Sequence, residues 1–197
     1  MFVQIIEGRT ADADGLKRQG EVWQSDLRPG ARGFLGVTAG ATSDGRSITI
    51  ARFDSEAAAR ANSERPEQGA WWAETAKYYD GEVTFTESSD VQELLRCESD
   101  DAGFVQVMKI SDVDRARMER LDHEISKVAE MRPDLLGVVR VWTGPTSCID
   151  VNYFTSESEA RAGERKEIPA ELEGLMAEFQ QLTANTEFLD ITAPQLH

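Results

Sequence analysis

The sequence predicts an α+β fold: two βαββαβ repeats joined head to tail, their sheets covering each other as an intramolecular α/β barrel. Internal repetition is the first observation behind this. Phe2-Val3-Gln4-Ile5 recurs as Phe104-Val105-Gln106-Val107, and Leu35-Gly36-Val37 recurs as Leu136-Gly137-Val138. Phe53-x-Ser55-Glu56 followed by Ala59-Arg60-Ala61 recurs as Phe154-x-Ser156-Glu157 followed by Ala160-Arg161-Ala162, and Ala73-Glu74 recurs as Ala177-Glu178. Four ordered matches at a spacing that drifts only from about 101 to 104 residues mark a duplication. The second observation is that both halves carry the same order of strand-like and helix-like periodicities. The third is that strand residues are apolar in both phases: Phe2 and Ile6 as well as Val3 and Ile5, and Val138 as well as Val139 and Val141. A sheet apolar on both faces has to be buried on both. Helices cover one face, and the second repeat supplies a cover for the other.

Each element has its own signal. Residues 2–7 form a short apolar strand. A helix from about Ala11 to Leu27 places Leu16, Gly20, Trp23 and Leu27 on one face, and Pro29-Gly30 ends it. Strands are expected at 34–39 and 47–53 around the turn Ser43-Asp44-Gly45. A second helical region starts at Ser55, breaks near Pro66 and resumes through Trp71, Trp72 and Ala76, before a last strand at 82–86. In the second half, a strand at 104–109 precedes a helix from about Val113 to Met131, with Met118, Leu121, Ile125 and Val128 on one face. Strands at 136–142 and 149–154 flank the Gly144-Pro145 turn. Ser156 to Glu159 fits a helix capping box. A helix at 170–182 follows Pro169, and a strand at 187–192 completes the repeat. The domains are then 1–88 and 103–197, with 89–102 a linker whose Val91–Leu95 forms one helical turn.

Thirty-six acidic against 21 basic residues give a formal charge of −15. The Arg and Lys residues are scattered among acids, so phosphate backbones and anionic lipids are repelled, and neither nucleic acid nor membrane is an expected partner. No apolar run approaches the roughly 20 residues that span a bilayer. The N-terminal segment lacks a basic region and a cleavage site, which predicts a cytoplasmic protein. Cys97 and Cys148 have no metal-ligand spacing, and two histidines are too few for most zinc or haem sites. His123 falls opposite the apolar stripe of its helix, an exposed position. No metal or other cofactor is expected.

The stretch Arg52-Phe53-Asp54-Ser55-Glu56-Ala57, a strand end running into a helix, resembles a signature of antibiotic biosynthesis monooxygenase domains. These belong to the dimeric α/β-barrel superfamily of ferredoxin-like chains. Tyr153-Phe154-Thr155-Ser156-Glu157-Ser158 is a looser copy, and Arg65-Pro66-Glu67-Gln68-Gly69-Ala70-Trp71 resembles the stretch that follows in that family. The resemblance implies a pseudo-dimer in which the fused halves stand for two chains, monomeric or paired with a second copy. Members that degrade haem place a histidine after the second-helix tryptophan. Here the corresponding residues are Lys77-Tyr78-Tyr79 and Gln180-Gln181-Leu182. Many relatives also carry a histidine nine residues beyond the strand-end aromatic, where this chain has Asn62 and Gly163. Haem chemistry is therefore not expected.

What the resemblance does imply is a cofactor-independent monooxygenase acting on a small aromatic or polyketide-type molecule, in a pocket between the two sheets. The alternative is a non-catalytic protein that binds a small apolar ligand or has a barrel packed shut. Catalysis of this kind needs a shaped cavity, a proton relay and hydrogen bonds to a developing enolate. Asp150, a conceivable base, stands with Asn152 and Arg52 as the catalytic candidates. Gln4, Gln106, Trp72, Arg140, Trp142 and Tyr153 are the candidates for holding substrate, with Thr49 a further polar strand residue. Gln4 and Gln106 are amides at matching positions of apolar strands, fit either to orient a ligand or to fix strand register. Asp150 and Asn152 replace Thr49 and Ala51 of the first repeat, an asymmetry suited to one working site.

Overall fold

The computed structural model describes residues 1–95 and 99–197; Cys97 lies outside them. Ten strands and seven helices follow one another as β1 (Phe2–Arg9), α1 (Ala13–Val22), β2 (Phe34–Ala41), β3 (Arg46–Phe53), α2 (Glu56–Ser63), α3 (Pro66–Thr75), β4 (Thr84–Ser88), β5 (Val91–Leu95), β6 (Phe104–Ile110), α4 (Arg115–Asp122), α5 (Ile125–Met131), β7 (Leu135–Gly144), β8 (Ser147–Phe154), α6 (Glu157–Glu164), α7 (Glu173–Leu182), β9 (Thr186–Ile191) and β10 (Gln195–Leu196). They form two compact units: Met1–Val91 with Ala193–His197, and Gln92–Thr192. Each unit is built on a five-stranded sheet, ordered β10-β2-β3-β1-β4 in the first and β5-β7-β8-β6-β9 in the second.

The two sheets have the same register. In the first, Gln4, Ile6 and Gly8 of β1 stand opposite Ala51, Thr49 and Ser47 of β3, which stand opposite Val37, Ala39 and Ala41 of β2. In the second, Gln106, Met108 and Ile110 of β6 stand opposite Asn152, Asp150 and Cys148 of β8, which stand opposite Val138, Arg140 and Trp142 of β7. Side chains alternate across a strand, so these residues share the helix-covered face of their sheet. The other face carries Val3, Ile5, Ile48 and Ile50 in the first unit and Val105, Val107, Val141, Ile149 and Val151 in the second, all buried. That face is therefore apolar and buried in both sheets, whereas the helix-covered face is mostly buried in the second sheet and only half-buried along β1, β2 and β3 of the first.

Local chemistry explains most element ends. Ser55 and Ser156 cap α2 and α6 by accepting the backbone N–H of Ala58 and Glu159, and Pro66 opens α3 where a missing N–H costs nothing. The Ser156 hydroxyl donates to the Glu159 carboxylate at 3.0 Å, so only half of the expected capping box forms. Three segments differ from expectation. The helix expected over 113–131 is two, because the chain turns at His123–Glu124 through a bond from Glu124 N–H to Leu121 C=O; this break leaves Asp122 paired with Arg140. Val91–Leu95 is not a helical turn but a strand whose Gln92 accepts the Trp142 indole N–H at 3.1 Å. The residues after β9 form a further strand, β10, on the edge of the first sheet. Among the described residues no helix is long and apolar enough to cross a membrane.

Candidate functional site

The helix-covered face of the first sheet does not meet its helices in full contact. Between them lies a cavity of about 230 Å³. A single water needs roughly 10–15 Å³ measured the same way, so the space suits a molecule of several rings. Its floor is the sheet: Gln4 and Ile6, Val37, Ala39 and Ala41, Ser47, Thr49 and Ala51. Leu16, Gly20 and Trp23 from α1 and the turn after it form its roof with Trp71, Trp72 and Thr75 of α3. Ala193, Gln195 and His197 close one side. The apolar stripe Leu16-Gly20-Trp23 thus faces the ligand space, and Leu27 of the same stripe packs with Trp23 and Ala31.

Small side chains make the cavity. Where the first repeat has Ala39, Ala41, Thr49, Ala51 and Gly8, the second has Arg140, Trp142, Asp150, Asn152 and Ile110 at the same register positions. The exchange fills the second unit. Met108, Ile110, Met118, Trp142, Cys148 and Leu182 pack there as one buried cluster. Arg140, 1% exposed, donates through Nε and Nη2 to both oxygens of Asp150 at 2.7 Å, and through Nη1 to Asp122 at 2.8 Å. An ion triad and an indole occupy the volume that stays open in the first repeat.

Aromatic rings give the cavity a flat, rigid lining. Trp23 and Phe34 lie 4.7 Å apart, Phe34 and Phe53 5.6 Å, and Trp72 and Tyr79 6.0 Å. Several polar groups reach the wall, among them Gln4, Thr49, Asn62, Gln68 and Tyr79. Gln4 Nε2 donates to Glu87 Oε1 at 2.9 Å, which leaves its carbonyl oxygen without a partner among the described residues. Thr49, also in the wall, has no side-chain hydrogen bond among them either. The Tyr79 hydroxyl lies beside Ser47, whose own hydroxyl donates to Gly8 C=O at 3.2 Å. Burial pushes the Tyr79 phenol above its ordinary range, with the neighbouring Ser47 hydroxyl opposing. Tyr79 therefore stays a neutral donor at physiological pH. Gly8 makes room for it, since a Cβ there would meet the Tyr79 ring at 2.6 Å. Ile110 and Leu182 stand at the corresponding places of the second repeat.

The structure separates the residues singled out from sequence. Gln4 and Trp72 line the cavity. Gln106 sits at the equivalent of Gln4 and bonds Asp190 at 3.0 Å, much as Gln4 bonds Glu87. Asp150 and Arg140 neutralise each other inside the second unit. Asn152 donates to Gln106 C=O at 3.3 Å. Trp142 is buried, with the Arg115 guanidinium 4.5 Å from its ring centre. Arg52 and Tyr153 are on the faces away from the helices, Arg52 donating to the Thr38 hydroxyl at 3.2 Å. The cavity thus lies between one sheet and its own helices, where the sequence led us to expect a pocket between sheets. Burial pushes the thiol of Cys148 up to about 12, so it stays protonated. His123 is exposed.

No protein-family model matches the sequence, and no curated protein matches it. Solved structures do share the fold. Structures from Fusobacterium nucleatum and Lactobacillus acidophilus, both described as "putative monooxygenase", superpose with TM-scores of 0.75 and 0.71 at 11% and 12% identity. Each covers 100% of this chain, with 93% and 98% of its own length. A ferredoxin-fold protein from Listeria monocytogenes, described as related to antibiotic biosynthesis monooxygenases, covers 98% of this chain and 95% of its own at a TM-score of 0.51 and 9% identity. At such identities the likeness is one of fold. The chain shares with these structures, over nearly their whole length, its fold of two five-stranded antiparallel sheets with helices.

Proposed function

We propose that the first repeat holds a cofactor-independent monooxygenase site for a flat aromatic or polyketide-type molecule. The observation that carries this reading is the cavity itself: open in one repeat, filled in the other, walled by aromatic rings and furnished with polar groups. Such a pocket buries a planar hydrophobic substrate and fixes its orientation through those groups. The chemistry suits a substrate that forms a stabilised carbanion, such as a methylene flanked by an aromatic ring and a conjugated carbonyl. Loss of a proton gives the enolate, which passes an electron to oxygen, and recombination forms a C–O bond. The resulting hydroperoxide loses water to leave a ketone, so CH₂ and O₂ become C=O and H₂O. The protein's share is shape, exclusion of water and hydrogen bonds to the enolate oxygen. In this reading Thr49 and neutral Tyr79 supply the bonds, the Gln4 carbonyl accepts from a substrate hydroxyl, and Trp72 is a ring wall. Arg140, Asp150 and Trp142 are structural.

Oxygen uptake with a hydroxylated anthrone tests the reading. We expect consumption of one O₂ per anthrone at a rate above the autoxidation background, lost in an Ala39→Trp variant that fills the cavity. Saturable binding without oxygen uptake would instead support the non-catalytic binding protein.

A further inference from the structure

We propose that Asn62 is the residue that takes the ligand's ionisable oxygen, so that the site selects aromatic molecules bearing a phenol or enolisable carbonyl beside Trp23. This rests on the cavity being a ligand site and names what that ligand must carry. Asn62 lies in the last turn of α2, is 5% exposed, and lines the cavity. A buried amide has to account for its oxygen and for both N–H groups. Arg65 Nη1 lies 2.9 Å from one end of it, and arginine can only donate. That end is therefore the oxygen, which fixes the orientation of the amide.

Arg65 is itself anchored. It donates to Leu27 C=O at 3.0 Å and to the Glu67 carboxylate at 3.0 Å. The Asn62 NH₂ group is left with one long contact, 3.4 Å to Gln68 Oε1, an oxygen that already accepts the Trp23 indole N–H at 2.8 Å. Its second N–H has no acceptor among the described residues. The result is a buried, oriented donor in the wall of a cavity that needs an acceptor from the ligand.

The second repeat lacks this donor where it lacks the cavity. Gly163 stands at the position of Asn62, and a Cβ there would lie 2.2 Å from Arg132 Nε. That arginine fills the space while bonded to Asp134 and to Ala160 C=O. Donor and cavity occur together or not at all, as a ligand contact requires. An N–H donor binds an anionic oxygen more strongly than a neutral one, so it favours the ionised form of a bound phenol.

Anaerobic spectrophotometric titration of bound 4-nitro-1-naphthol, whose ionised form absorbs in the visible, reads this directly. The naphthol bound to the unaltered protein is expected to ionise at lower pH than when bound to Asn62→Leu, by about one unit, a tenfold change in ionisation constant. Asn62→Asp, which keeps the shape and the Arg65 bond but replaces the donor with a negative charge, is expected to raise it further. It decides the matter if the leucine variant does not fold. An unchanged ionisation pH in variants that still bind the naphthol overturns the role of Asn62 and leaves the cavity reading standing. Failure of the unaltered protein to bind it overturns both.

Discussion

Arg140 donates from three nitrogens to the buried carboxylate of Asp150 and the half-buried one of Asp122, so removing it leaves the two acids without a cation. Breaking a buried pair from one side costs about 3–5 kcal/mol, and Arg140→Met should lower the stability of the second unit by that order, read from its urea midpoint. The cavity is in the other unit, so naphthol affinity should persist wherever the protein stays folded. Asp122 makes a finer prediction. Burial raises its pKa, although the charge and bonds of Arg140 pull the other way. A carboxyl with a raised folded pKa binds its proton more tightly in the native state. Its contribution is therefore fullest below the unfolded value of about 3.9 and is lost as pH rises through the folded value. Asp122→Asn should flatten the stability–pH curve just above pH 4, to be checked by urea unfolding across that range. At this scale the sequence was half legible. The aligned halves differ at Thr49/Asp150 and Ala51/Asn152 in both polarity and volume. Polarity points to the second repeat as the working one, but Asp150 and Asn152 are matched there by Arg140 and Gln106. Volume, through Ala39/Arg140 and Ala41/Trp142, points to the first, where the cavity is.

Among the elements, β10 has the closest bearing on the site. His197 exchanges both backbone bonds with Val37 of β2, at 2.7 and 3.2 Å, and Gln195 Nε2 donates to Lys17 C=O of α1 at 3.0 Å. The tail thus ties the sheet to the roof helix, and three of its residues are cavity wall. Gly36 provides for it, since a Cβ there would meet the His197 carbonyl oxygen at 2.5 Å. Deleting residues 193–197 should weaken naphthol binding by roughly tenfold, the scale of one or two net hydrogen bonds. The circular dichroism of the folded protein should be nearly unchanged, because the deletion removes a two-residue edge strand. Unchanged affinity would show that the tail does not shape the site. The repeat strands and helices were legible because each carries several turns or alternations of pattern. Strands β5 and β10 were not: Val91–Leu95 has no clean alternation, and Gln195–Leu196 is too short to have any. Both exist because a sheet edge is there to pair with, which no local window of sequence records.

For the molecule as a whole, duplication followed by divergence separates a filled repeat from one that keeps a cavity. Two sheets of equal register are kept, while the helix-covered face of one is filled with an ion triad, an indole and large aliphatic side chains. The other holds alanines, a threonine and a glycine, and so retains space. The architecture was legible from repetition and from strands apolar in both phases. The cavity was not, because a cavity is a difference between volumes that only the assembled elements define. The central claim is that this chain carries one ligand site, in its first repeat. Equilibrium dialysis of 4-nitro-1-naphthol against the protein under anaerobic conditions tests it most directly. Saturation at one naphthol per chain, abolished by Ala39→Trp with the fold intact, is the predicted result. Saturation at two, or binding that survives that substitution, would contradict it.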